Sequence, residues 1–179
     1  MHALIKLSRA IDYVNAQLGR VANWMILVAC LISAANAMIR YAFDESSNAW
    51  LEIQWYLFAG VVMLGASYTL QRNEHVRVDI LYMQLSERGK EWLDLIGTAL
   101  FLIPSCLIIG WLSWPFFYES WHILETSPNA GGLIRWPVKL LVPIGFALLA
   151  LQGLSEIIKR AAALHGDVRY VSNYERPVQ

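Results

Sequence analysis

The sequence predicts an all-α membrane protein with four transmembrane helices, both termini cytoplasmic, and additional amphipathic helices at the membrane interface. Three observations predict it. First, 57% of the 179 residues are hydrophobic and only 16% are charged, whereas a soluble domain carries about 25% charged residues. Second, four stretches each supply the ~20 mostly apolar residues that a helix needs to cross a hydrocarbon core about 30 Å thick. Third, lysine and arginine alternate between the segments that separate those stretches.

The spans are expected at about 21–43 (VANWMILVACLISAANAMIRYAF), 50–70 (WLEIQWYLFAGVVMLGASYTL), 92–114 (WLDLIGTALFLIPSCLIIGWLSW) and 136–158 (WPVKLLVPIGFALLALQGLSEII). Helices are the expected form because a lipid-exposed segment must satisfy its backbone internally. Trp24, Trp50, Trp55, Trp92, Trp111, Trp114 and Trp136 lie mostly near span ends, as interfacial aromatic belts do. Lys6, Arg9 and Arg20 precede the first span, Arg72, Arg77, Arg88 and Lys90 sit between the second and third, and Lys159, Arg160, Arg169 and Arg176 follow the fourth. The two remaining loops carry only Arg135, so they are expected on the outer side of the membrane and both termini in the cytoplasm. WMILVACLI followed by Ala35-Asn36-Ala37 has the outline of a signal peptide with a cleavage site. The long polar leader and the apolar continuation to Phe43 argue against cleavage.

Residues 1–20 read as an amphipathic interfacial helix. Leu4, Leu7, Ile11, Val14 and Leu18 form one stripe, and Lys6, Arg9, Asp12, Asn15 and Gln17 occupy the other face. The same stripe would serve a soluble partner domain, but the direct run into a span favours the membrane surface. Residues 159–179 are expected to form a cytoplasmic tail. The stretch QRNEHVRVD, residues 71–79, is the wet loop after span two, and VRVDILYMQL continues it as a short surface helix. Its cluster of Arg72, His75, Arg77 and Asp79 is expected to be tied by local ion pairs with Glu74 or Asp79. A lone histidine without a second at helical spacing makes a poor metal site.

No charge lies in mid-span, where ionisable groups usually mark function. Arg40 closes the first span and Glu52 opens the second, and a structural ion pair across the short turn is expected, because either charge alone at that depth is costly. Ala29, Ser33, Asn36 and Arg40 share one face, a candidate for close helix packing. Pro104 and Pro143 are expected to free a carbonyl and bend their helices. Cys30 and Cys106 sit in apolar runs and read as small hydrophobic side chains. No intramembrane histidine, phosphate loop, catalytic constellation, basic nucleic-acid patch, broken helix or internal repeat is visible. The chain is therefore expected to be no enzyme, to hold no cofactor or metal, to bind no nucleic acid and to carry no substrate unaided.

The segment WLEIQWYLFAGVVMLGASYTLQRNEHVRVDIL then acquires a meaning. An acidic residue opening span two (Glu52), Gly65 and Ala66 late in it, and Arg72, His75, Val76 and Asp79 after it resemble the small, DctQ-like membrane subunit of tripartite ATP-independent periplasmic (TRAP) transporters. The likeness covers roughly residues 10–160. It implies an inner-membrane scaffold, or stator, beside a large permease subunit that carries organic acid anions and sodium by an elevator motion. It implies a periplasmic binding protein as a transient further partner, and sodium in the large subunit rather than here. The third loop, 115–135, is rich in aromatics, and Glu119, Trp121 and Glu125 are candidates for docking that binding protein. The alternative for this loop is an interfacial helix anchored by its aromatics. The basic cytoplasmic face is expected to meet anionic lipids. Two rival readings remain: a self-sufficient homo-oligomeric transporter or channel, and a membrane anchor for an unrelated complex.

Overall fold

The computed structural model describes residues 2–45, 47–75, 82 and 84–166. Arg77 and Asp79, the expected surface helix around them, and the tail beyond residue 166 lie outside the described residues. Four helical rods are long and apolar enough to span a membrane. They are α1 (His2–Phe43), α2 (Asn48–Arg72), a third rod made of α3 (Glu87–Gly97), a π-helical turn (Thr98–Leu102) and α4 (Ile103–His122), and α5 (Trp136–Leu164). The turn between α1 and α2 and the loop between α4 and α5 share one end of the bundle, called here the loop end. The start of α1 and the end of α5 lie at the other, the terminal end.

The expected break between an interfacial helix and the first span is absent. α1 is one rod of 42 residues, about 63 Å at 1.5 Å per residue. Its first turns are also turned over relative to expectation. Ser8 and Asn15 are buried, whereas Leu4, Leu7 and Val14 are half exposed and face outward. The cause is a polar stripe on α5 that meets the polar face of α1. Lipid tails are as apolar as leucine, so the outward stripe loses little, while hydrogen bonds between helices gain. The buried face of α1 repeats in sevens through Ser8, Asn15, Ala22 and Ala29, small or polar side chains that let neighbouring backbones approach.

α2 starts at Ser47, whose hydroxyl accepts from Ala49 N at 3.3 Å, and stops at Asn73 in the left-handed conformation, its N–H directed to Leu70 and Thr69 carbonyls. The third rod starts at Ser86, whose hydroxyl accepts from Gly89 N at 3.2 Å. Pro104 lacks an N–H and would crowd the carbonyl four residues back. The widened turn just before it absorbs this, with the Ile103 N–H reaching the Thr98 carbonyl. Gly153 on α5 faces that turn, where a Cβ would lie 3.1 Å from Leu102 Cδ2. Pro143 lies buried inside α5. The rod runs to His122, so the aromatic segment is helical, as its alternative reading expects, and forms the rod's last two turns. The true connection is short and hairpin-like, with Thr126 bridged to Ile134 and Ser127–Gly132 forming its tip.

α5 is the central rod. It packs against α1, α2, α3 and α4, while α4 has α5 as its main neighbour. Gly145 lets α2 approach so closely that a Cβ there would lie 2.8 Å from Met63 Cβ. The bundle is inside-out by soluble standards. Its most buried sizeable side chains are polar, Gln152, Glu156 and Asn15 among them, whereas Leu107, Ile108, Trp111 and Leu112 of α4 lie exposed, as a lipid-facing surface requires.

Candidate functional site

At the terminal end three helices are tied by a polar junction. Ser8 and Ser155 share a hydroxyl–hydroxyl hydrogen bond of 2.7 Å. The Asn15 amide donates to Gln152 Oε1 at 2.7 Å, and the Gln152 amide donates to Asp12 Oδ1 at 2.9 Å and Glu156 Oε1 at 3.0 Å. Ser155 donates to Asp12 as well, at 2.7 Å. Lys159 bridges Asp12, at 3.1 Å, and Glu156. On the opposite flank of α5, Arg160 pairs with Asp94 at 2.7 Å and Glu91 at 3.3 Å, and the Tyr82 hydroxyl donates to Asp94 at 2.8 Å. The arrangement satisfies two carboxylates with one ammonium on each helix crossing, or a guanidinium in its place. That is a latch between helices.

The sequence reading assigned Asp12 and Asn15 to a wet surface and missed this junction. Its signals were the seven-residue repeat of small and polar residues in α1 and the stripe Gln152, Ser155, Glu156, Lys159 on α5.

At the loop end Glu52 is 3% exposed. Its carboxylate accepts from the Ser127 hydroxyl, the Asn129 amide at 2.8 Å and the Leu133 N–H at 2.7 Å. Tyr56 donates to the Ile134 carbonyl at 3.2 Å, and Asn48 to the Ala130 carbonyl at 3.3 Å. The first turns of α2 thus hold the whole hairpin. This corrects the expected Arg40–Glu52 pair: the hairpin, far off in sequence, supplies three hydrogen bonds to Glu52, and Arg40 forms no ion pair among the described residues. The shared face of Ala29, Ser33, Asn36 and Arg40 divides likewise, with Ala29 buried, Asn36 half-buried, and Ser33 and Arg40 exposed.

Glu125 receives a hydrogen bond from Lys139 and sits 3.6 Å from Arg135. The Lys139 ammonium, with the Arg135 charge adding to it, holds the Glu125 carboxyl below the usual carboxylate range. Lys139 also stands over the Phe116 ring, 4.1 Å from its centre. Of the three candidate docking residues, Glu125 is therefore engaged within the chain, while Glu119 and Trp121 stay exposed on the end of α4. In the loop after α2, Arg72 pairs loosely with Glu74 at 3.8 Å and lies over Tyr68. His75 is exposed, and no metal-ligating group of three occurs among the described residues. Both cysteines are free.

Comparison with known proteins places this architecture. Residues 29–163 match the family described as tripartite ATP-independent periplasmic transporters, DctQ component. The C4-dicarboxylate TRAP transporter small permease protein DctQ of Vibrio cholerae is 30% identical over 144 residues, covering 69% of this chain and 62% of that protein. A putative TRAP transporter small permease protein of Haemophilus influenzae is 28% identical over 119 residues, covering 65% of this chain and 74% of that one. No solved structure matches. Four lipid-facing rods and a family match across most of their length lead to one conclusion: the chain belongs to the DctQ component family of tripartite ATP-independent periplasmic transporters, and is a multi-pass protein of the bacterial inner membrane, not an enzyme.

Proposed function

We propose that the chain is the stationary scaffold of a TRAP transporter, bracing a large permease subunit that moves an organic acid anion with sodium, after delivery by a periplasmic binding protein. One observation carries the reading: the central rod is latched at both ends. Lys159 and Arg160 tie its terminal end to α1 and α3, and the Glu52-bound hairpin ties its other end to α2. A body fixed at both ends resists the sliding that carriage of a solute demands, and it offers a moving neighbour a fixed reference.

The terminal end faces the cytoplasm in this reading. Eleven of the fourteen lysines and arginines belong to it or its adjoining segments. The Vibrio relative is named for C4-dicarboxylates, and a small carboxylate is the proposed substrate class here too.

Proteoliposomes test this directly. The chain alone should pass no solute. Uptake of a labelled dicarboxylate should require the large subunit, the binding protein and an inward sodium gradient together. Saturable, gradient-driven uptake by the chain alone would replace the scaffold with a self-sufficient carrier.

A further inference from the structure

Ser8, Asn15, Ala22 and Ala29 point inward along α1, and the next position of that repeat is Asn36. There the cover ends. Asn36 is half-buried, and Ser33 and Arg40, on the same face, are exposed. α5 begins beside α2, where Tyr56 reaches the Ile134 carbonyl. The end of α1 and the start of α2 are left with an open groove of about 550 Å³, whose lining includes Ser33, Asn36, Arg40, Asp44, Leu51 and Gln54.

Arg40 lies exposed in the last turn of α1, and a guanidinium covered there by a packed neighbour would need a counter-charge. Among the described residues none lies within ion-pair distance. Glu52 is committed to the hairpin, and Asp44, on the same groove, forms no ion pair with Arg40 among the described residues. Below Arg40 the groove still carries the polar Asn36 and Ser33, among apolar Ala37 and Leu51, over about 10 Å, the seven residues back to Ser33. A lipid would offer its phosphate to Arg40, but only acyl chain to Asn36 and Ser33. A helix can offer a carboxylate and, one or two turns deeper, hydrogen-bonding or small side chains.

We propose that this groove seats a transmembrane helix of the large membrane subunit, which presents an Asp or Glu side chain to Arg40. The inference rests on the reading of the chain as one subunit of a larger transporter. It adds the face used and the charge of the partner.

The test co-produces the tagged chain with the large permease subunit of its transporter and measures how much of that subunit is retained in mild detergent. The wild-type chain should retain it. Arg40→Gln and Arg40→Glu should lower retention about tenfold or more, because each leaves the partner's desolvated carboxylate unpaired, and Arg40→Lys should lower it less. A photo-crosslinking residue at Ser33 should join the large subunit, and changing one outer-leaflet carboxylate of that subunit to arginine should restore binding to Arg40→Glu. The Ser33 crosslink decides the matter even where an Arg40 variant folds badly. Equal retention by all variants, or crosslinks from Ser33 to lipid or to a second copy of this chain only, overturns the groove while leaving the subunit reading intact. A wild-type chain that retains no large subunit overturns both.

Discussion

The Glu52 carboxylate collects donors from three hairpin residues, the Ser127 hydroxyl, the Asn129 amide and the Leu133 N–H. Glutamine keeps the shape but offers one acceptor oxygen and turns an N–H₂ toward a donor. Glu52→Gln should therefore release the hairpin and raise proteolytic cutting between Ser127 and Gly132 several-fold. Arg40→Gln should leave that cutting unchanged, and equal sensitivity of the two variants would revive the ion pair the structure replaces. Glu125 adds a pH term to the same loop. Its folded pKa is depressed, by the Lys139 hydrogen bond first. Its anchoring is then fully present above the ordinary carboxylate range and is lost as pH falls through the lower folded value. Protection of the amides of 125–135 against hydrogen exchange, taken relative to their intrinsic rates at each pH, should fall in acid, and Glu125→Gln should flatten that dependence.

Between α1 and α5 the junction consists of Asp12, Glu156 and Lys159 with hydroxyls and amides around them. Removing the ammonium leaves two carboxylates facing each other in a place where the Lys159 side chain keeps only 20% of its surface. Lys159→Met should cost about 3 kcal/mol, the low end for breaking a buried pair because some exposure remains. Asp12→Asn in the same chain should recover part of that loss, a non-additivity that thermal unfolding in detergent can read. The four rods were legible in the sequence, since hydropathy and length speak directly of lipid. The direction in which a polar face points was not. Asp12 and Asn15 read as solvated because amphipathicity alone cannot distinguish water from a matching polar stripe 140 residues away. Glu52 was legible as a costly charge, but its partners are donors of a hairpin whose fold no local pattern specifies. The third rod reaches past the expected end of its span, because tryptophans mark the membrane interface near residue 114 while the helix itself runs on to His122.

At the scale of the whole molecule the two ends differ in charge as sharply as in architecture. The loop end holds Arg40, Arg135 and Lys139, and Glu125 takes up two of these three. Among the described residues, the terminal end holds the other basic side chains, many exposed, including Lys6, Arg9, Arg20, Arg72 and Arg88. Positive segments resist translocation, so this asymmetry is expected to keep the terminal end in the cytoplasm, the orientation we propose. In the proposed orientation the hairpin would face the compartment from which a binding protein delivers solute, and the basic end would face anionic lipid headgroups. A cysteine at Ala130, exposed on the hairpin, should react with a membrane-impermeant maleimide added to intact spheroplasts. One at Gln84, exposed just before α3, should react only after the membrane is opened. Cys30 and Cys106 lie within the spans and should stay silent toward this reagent in both conditions. The opposite labelling would invert the molecule, place Arg40 and its groove in the inner leaflet, and put the hairpin out of reach of any periplasmic partner.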